Sequence, residues 1–551
     1  MSEHRLVNRW IVVGIVAVAT VLAGACGSSG ANSSSEGGNA GVVEDESGAQ
    51  VGGELVYGLE AESDGWNPSN SKWAPSGLMV ARAVFDTLTA YDADLNAQPF
   101  LAERLTPNAD YTEWRITLRP DVTLHNGRTV DSEVVKANFE YLKASVLTSS
   151  AFEPVESFAT NGPLEVIVTM NRPWVNYPYS LATQIGVVSD PEWLTSGAKD
   201  DPIGTGPFAF EEWTPDNKLT VTKNDQYWQT DEQGIRLPYL DRVEFRPLPD
   251  NDSRGASLEA GGIDIMMTSA ANQIVQFKEL ADDGEFQLFN DVSGETAEAF
   301  IQLNTMAPPF DDPDARRALA LATDTEEYVE VQTRGLNEPA RGPFAPSSRW
   351  FAATTYPEFD KSAAEDLVEE VKRRNGGTFT FRLLGGSDAS ALSGLQLLQE
   401  QWRDVGIDAQ IAPSEQAQLI TDVALGNYQA TAWRQFDSPH PLGDSIWWHP
   451  NTAEPIGEIA LNFARNKDER IGVALDRARE TPDLAQETQL YQDVQQYLAE
   501  DIPYIWLYHT QISIVAAPSL VNVVNYTLPT GQKGIELQGG SHPLYQIWRN
   551  N

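Results

Sequence analysis

The one cysteine of this chain is Cys26, at the end of an apolar leader, so the body beyond it has no cysteine at all. It must fold without an internal disulfide and without a multi-cysteine metal site. The six histidines are scattered and form no ligand-rich tract, so no metal and no cofactor is expected. What holds the body together is burial, and 551 residues at roughly 150 per domain supply three to four domain-sized units. Hydrophobic residues make up 41% and charged residues 21%, a globular balance. Lysine and arginine total 38 against 79 aspartate and glutamate, a net charge of -41. A chain so acidic repels polyanions, which excludes a broad nucleic-acid surface.

The leader sets the compartment. Arg5 and Arg9 precede an apolar run from Trp10 to Ala25 that is interrupted by Gly14, Thr20 and Gly24. The run is too short and too rich in small residues for a span of about 20 apolar residues, and it has the n-region and h-region of a secretory signal. Cys26 follows Leu22-Ala23-Gly24-Ala25 directly and resembles the cysteine of a bacterial lipobox, which is acylated and becomes the mature N-terminus. One feature departs from that pattern: Ala23 stands where leucine is usual, and Leu22 lies one step earlier. Residues 1–25 are thus expected to be a signal peptide, with Cys26 lipidated. Residues 26–52, dominated by Gly, Ser, Asn and acidic side chains, read as a flexible tether. The expected location is the outer face of the cytoplasmic membrane. Two or more acyl chains give stable anchoring there, at about 0.8 kcal/mol per buried methylene.

The body reads as mixed strands and helices. Glu54 to Leu59 opens as a strand, Trp114 to Arg119 alternates with period two, and Leu164 to Met170 makes another strand. Asp131 is placed as an N-cap before the stripe Val134, Val135, Asn138, Phe139 and Leu142. Asp312-Pro313 starts a second helix, Ser362 and Glu365 read as a capping box, and Leu392 to Val405 forms a helix that stops at Gly406. Thr481-Pro482 is expected to start a last long helix bearing Leu484, Tyr491, Val494 and Leu498. No repeat is visible, and the elements predict an α/β or α+β fold with several sheets.

Several segments in order resemble the family 5 extracellular solute-binding proteins, the dipeptide-, oligopeptide- and nickel-binding group of ABC importers. They are Val84 to Leu88 with Pro99 to Glu103, then Trp114 to Val122 with Leu124-His125-Asn126-Gly127, then Pro202 to Phe208 with Asn224 to Trp228. Pro309 to Asp312 leading into Arg316, Arg317 and Ala318, then Gly406-Ile407-Asp408 and Ala432-Trp433, complete the series. Each is weak alone; their collinearity is specific. Gly204 to Ala209 also fits G-x-G-x-x-A, but Pro207 removes a backbone donor from a loop that should cradle phosphate, and a structural turn is the better reading. No P-loop and no G-x-S-x-G elbow occurs. His440 and His449, nine apart, read as loop residues in preference to metal ligands.

The resemblance implies an α/β, two-lobed, periplasmic-binding-protein-like fold of the large type II form, with mixed sheets flanked by helices. It implies lobe I over 53–86, 204–302 and 512–551, an inserted domain over 87–203, and lobe II over 303–511. Hinge strands are expected near Leu303 and Ile512. The implied partners are an oligopeptide ligand, the membrane subunits of an ABC permease with their ATPase, and the membrane through the lipid. The chain is expected to be a monomer and not an enzyme. A buried peptide needs a carboxylate for its ammonium and a guanidinium for its carboxylate. Asp437 is the nearest match to the family's ammonium-binding aspartate, at a spacing unlike the dipeptide-binding pattern. Arg434 reads either as the partner of a ligand carboxylate or as half of a surface or interlobe ion pair. Trp66, Trp350, Trp433, Trp447 and Trp448 read either as core or as aromatic platforms of the cleft. Two rivals stand beside the oligopeptide: an oligosaccharide stacked on those tryptophans, and an exported hydrolase.

Overall fold

The computed structural model describes residues 39–42, 48–71, 73–291, 297–387, 389–435 and 438–550. Its framework is three sheets. The largest has seven strands in the order 287–290, 513–516, 265–268, 54–59, 242–247, 218–223 and 208–214. The central strand Glu54–Leu59 runs parallel to both neighbours, with Glu54 opposite Arg242 and Tyr57 opposite Ile265. Strands buried on both faces read as apolar runs, and Ile265–Thr268 and Ser513–Ala516 are buried at every position.

The second sheet has six strands in the order 338–339, 504–509, 298–303, 430–434, 380–386 and 408–414. Its long core gathers Trp350, Trp402, Tyr491 and Trp506 with the apolar faces of the helices Pro313–Leu321, Lys361–Arg374 and Leu484–Asp501. The third sheet is four-stranded and antiparallel, in the order 102–107, 113–118, 165–170 and 155–160. The helix Ser132–Ala144 packs on it through Val134, Val135, Phe139 and Leu142. This is the mixed-sheet α/β architecture expected of a periplasmic-binding-protein-like chain.

The local rules hold at most of the helix starts. Asp131 accepts from the Val134 N–H, and Asp312 from the Asp314 N–H with Pro313 next in line. Two starts differ. The helix Lys361–Arg374 is capped by Asp360, whose carboxylate accepts from the Ala363 N–H, so Ser362 lies inside the helix. The last long helix begins at Leu484 behind Asp483, while Thr481 closes the preceding helix, Glu469–Glu480. In both cases an aspartate just outside the expected cap is the better acceptor for orphan N–H groups.

The large and second sheets are joined where the chain passes from Asn290 to Glu298 and from His509 to Ser513. The two crossings lie side by side: the Thr510 N–H donates to the Ala297 carbonyl at 2.7 Å, and the Asp291 N–H to the Ile512 carbonyl at 3.0 Å. Ile512 is therefore in a crossing. Leu303 is at the far end of the fully buried strand Glu298–Leu303, and the crossing precedes that strand.

Candidate functional site

The signature motifs between Val84 and Trp228 converge on one knot. The His125 N–H donates to the Gly204 carbonyl at 2.9 Å, the Gly204 N–H meets His125 Nδ1 at 3.3 Å, and His125 Nε2 lies 3.0 Å from the Gly206 carbonyl. With Nδ1 accepting, the proton sits on Nε2. Asn224 Nδ2 donates to that same Gly206 carbonyl at 3.0 Å. Nearby, Tyr227 Oη and Trp228 Nε1 donate to the two oxygens of Asp86, at 3.0 and 2.9 Å. Burial pushes the Asp86 carboxyl up to about 7 in spite of these bonds. A Cβ at Gly204 would lie 2.1 Å from the Val84 carbonyl oxygen, and one at Gly206 2.5 Å from the Val84 carbonyl carbon. The glycines serve backbone contact, and the segment that imitates a nucleotide loop is a structural turn.

The chemistry gathers where the two large sheets meet. Glu60 and Ser269 each follow a strand of the large sheet, at carboxyl ends of the kind where α/β sheets place ligands. Glu60 accepts from the Ser269 N–H at 2.6 Å, from Ser269 Oγ at 3.1 Å, and from Nη2 of the buried Arg254 at 3.3 Å. From the second sheet, Arg434 ends the strand Ala430–Arg434, and its Nη1 donates to Ser269 Oγ at 3.3 Å. Arg434 is otherwise exposed. It is thus a cation at the mouth between sheets, tied to the opposite half through a hydroxyl and not through a carboxylate.

The residue before Arg434 on the same strand, Trp433, belongs to an aromatic group. Trp433 and Trp447, both half-buried, flank Phe463 with ring centroids 5.4 and 5.3 Å away. Arg465 fixes Phe463 from below. This guanidinium is only 1% exposed and donates to four carbonyls: Phe463, Val423, Ala424 and Glu458. The remaining sequence candidates are elsewhere. Trp448 is buried against Phe344 at 6.0 Å. Trp350 is buried edge-on to His440 and Tyr491 at 5.2 Å each. Trp66 is buried edge-on to Trp213, near the edge strand Phe208–Thr214 and remote from the crossings in strand order. Trp433 and Trp447 thus share one aromatic group around Phe463, Arg434 ends the strand that carries Trp433 and meets Ser269, and Trp66, Trp350 and Trp448 lie in cores. Asp437 and Cys26 lie outside the described residues. Glu60, Ser269, Phe463 and Arg465 escaped the sequence reading, because none sits in a patterned motif.

His440 and His449 are local braces. Nδ1 of each accepts from a following backbone N–H, of Leu442 and of Asn451, and Nε2 faces Glu487 at 3.3 Å and Asp476 at 3.7 Å respectively. Among the described residues no group of three or more His, Cys, Asp or Glu is placed to hold a metal ion. No helix among them is long and apolar enough to cross a membrane.

Two mixed sheets joined by a paired crossing, with a third sheet built onto the first, define the two-lobed solute-binding fold. The oligopeptide-binding protein AppA from Bacillus subtilis, solved with a nonapeptide, superposes with a TM-score of 0.77 at 22% identity, covering 92% of this chain and 100% of that one. DppA from Helicobacter pylori, solved with the peptide STSA, gives 0.77 at 20% identity over 91% and 99%. Residues 96–454 match the bacterial extracellular solute-binding proteins, family 5 Middle, and the chain belongs to that family. Its members are solute-binding receptors of ABC importers and not enzymes, which removes the hydrolase. Among curated proteins, the glutathione-binding protein GsiB of Pectobacterium atrosepticum is 26% identical over 445 residues, 78% of this chain and 83% of that protein.

Proposed function

We propose that this protein captures oligopeptides outside the cell between its two large sheets and hands them, chemically unchanged, to an ABC permease. The observation that carries the reading is the pairing of Asp291 with Ile512 and of Ala297 with Thr510 where the chain passes between the sheets, with Arg434 donating to Ser269. A hinge of two adjacent segments lets two halves rock while the strand ends stay in register. Ligand then shifts the population toward the closed form by no more than its differential affinity. The relatives named above for glutathione, a nonapeptide and STSA support a peptide guest. Arg434 offers a guanidinium to a guest carboxylate, Asp437 is assigned to its ammonium, and Trp433 and Trp447 supply apolar contact.

The unit assignment goes with it: lobe I over 53–86, 204–302 and 512–551, the inserted domain over 87–203, and lobe II over 303–511. The chain works as a monomer, anchored through a lipid on Cys26 and held off the membrane by the segment 26–52. An oligosaccharide guest is the second reading, favoured by the half-exposed rings of Trp433 and Trp447. Calorimetry with tri- to pentapeptides against cello-oligosaccharides separates the two. Saturable one-to-one binding of peptides supports the proposal, and a response to sugars alone overturns it.

A further inference from the structure

Arg254, on the helix Asn251–Glu259, has no exposed surface. Its Nη1 donates to the Leu248 carbonyl at 2.5 Å, and its Nη2 reaches Asn251 Oδ1 at 2.7 Å and Glu60 Oε1 at 3.3 Å. A cation so buried needs a counter-charge, and Glu60 is the carboxylate that pairs with it. Glu60 in turn fixes Ser269: its Oε1 accepts from the Ser269 N–H at 2.6 Å, and its two oxygens lie 3.1 and 3.2 Å from Ser269 Oγ. From the opposite sheet, Arg434 Nη1 donates to that same Oγ at 3.3 Å. Four side chains thus form one unbroken chain of hydrogen bonds, from a buried guanidinium to an exposed one.

The proton count fixes the direction of each bond. A serine hydroxyl has one hydrogen and two lone pairs. A carboxylate facing a guanidinium only accepts, so that hydrogen goes to Glu60. Toward Arg434 the oxygen then only accepts, and no hydrogen is left for a guest carboxylate. Ser269 therefore holds Arg434 and is not a second anchor for the same guest group.

The form of the link matters. A carboxylate in direct contact with Arg434 would neutralise it and compete with a guest carboxylate for the same N–H groups. Through the hydroxyl one N–H is used and the charge is kept, because the ion-pair partner of Glu60 is Arg254. Among the described residues Arg434 has no carboxylate partner. An exposed arginine left untied samples many rotamers, and freezing them when a guest arrives lowers affinity.

We propose that Ser269, fixed by Glu60 and Arg254, is a positioning residue for Arg434. It sets the guanidinium for a guest carboxylate without discharging it, and so raises the preference for guests with a free carboxylate over guests without one. The inference rests on the assignment of Arg434 in the peptide reading above and deepens it.

The experiment uses the mature chain, Ser269→Ala, Ser269→Thr and Arg434→Ala, with trialanine and its C-terminal amide as probes, read by calorimetry. In Ser269→Ala the free acid should bind about fivefold weaker, the scale of immobilising one long side chain, while the amide binds as in the wild type. Ser269→Thr keeps the hydroxyl and should restore the wild-type ratio of the two probes. Guest-free melts accompany both, since a residue that only supported the fold would lower the melt and weaken both probes alike. Equal weakening of the probes, an unchanged ratio in Ser269→Ala, tighter binding of the free acid, or no rescue by threonine overturns the positioning role and leaves the peptide reading standing. If Arg434→Ala weakens both probes equally, the carboxylate role of Arg434 falls and that of Ser269 with it. If the wild type binds neither probe, the peptide reading itself fails.

Discussion

Asn176 and Glu487 are 311 positions apart, yet Asn176 Nδ2 donates to Glu487 Oε1 at 2.9 Å with both side chains buried. His440 Nε2 reaches the same carboxylate oxygen at 3.3 Å, and the ring of Tyr179 tilts against His440 with centroids 4.1 Å apart. Nearby, Arg172 pairs with Asp476 at 3.1 Å, and Leu442 inserts into the core of the four-stranded sheet. Residues 172–179, which follow the four-stranded sheet, thus touch the segments 440–442 and 476–487 packed on the second sheet.

Breaking that contact tests whether it belongs to the closed form. Glu487→Ala leaves Asn176 and His440 without their acceptor, at about 1–3 kcal/mol. We expect affinity for every guest to fall alike, by about tenfold, because the loss falls on closure and not on recognition. Calorimetry with two peptides of opposite net charge checks this. No change, or a change for one peptide only, contradicts it.

Four buried groups set the acid response. Burial pushes His125 and His509 down to about 4 and His542 down to about 3, each from an ordinary value near 6.5. The unfolded chain then binds protons that the folded chain refuses, so stability is full above about 6.5 and is lost as pH falls toward 4. Asp86 has the opposite sign. Its folded pKa of about 7 stands above the unfolded value, so its contribution is present at low pH and is lost as pH rises through 7. Three groups outweigh one, each by about 1.4 kcal/mol per pH unit at most. Urea melts should show stability falling from pH 6.5 to 4.5, and falling more steeply in Asp86→Asn. A flat profile, or a shallower one in the variant, contradicts the assignment.

The knot of signature residues predicts a stability defect without a binding defect. In Gly204→Ala the new Cβ meets backbone at 2.1 Å, which no rotamer relieves. The expected loss is about 2 kcal/mol, as for overpacking of a tight core. Urea melts read that loss, and peptide affinity well below the transition should stay at the wild-type value. A variant that melts like the wild type would show that the turn is looser than its geometry.

The assignment of charges is tested by ligand chemistry. Asp437→Ala should weaken free-amine peptides far more than N-acetylated ones, and Arg434→Ala should weaken free-carboxylate peptides more than C-terminal amides, each by about tenfold. Calorimetry on the four peptide forms reads both, and equal weakening within a pair removes the corresponding role.

What was legible in the sequence was local or collinear. Asp131 and Asp312 announced their helices because an N-cap needs only its own next three residues. The ordered motifs announced the family by their collinearity, and those between Val84 and Trp228 build one knot around His125, Gly204, Asn224 and Asp86. The site was legible in part. Trp433 and Arg434 lie on one strand, where Arg434 meets Ser269 of the large sheet and Trp433 packs on Phe463. Trp66, Trp350 and Trp448 are ring-packed in cores, and a lone tryptophan in a loop carries no mark of which way it faces. Ser269 takes its interest from a hydrogen bond to Arg434, 165 residues away, which no window along the chain contains.

The central claim, that two halves close on a guest, is tested most directly by small-angle scattering of the mature chain alone and saturated with the tightest peptide from the calorimetric panel. The account predicts a smaller radius of gyration in the saturated sample, with the peptide recovered at its intact mass. Superimposable profiles at proven saturation would contradict it.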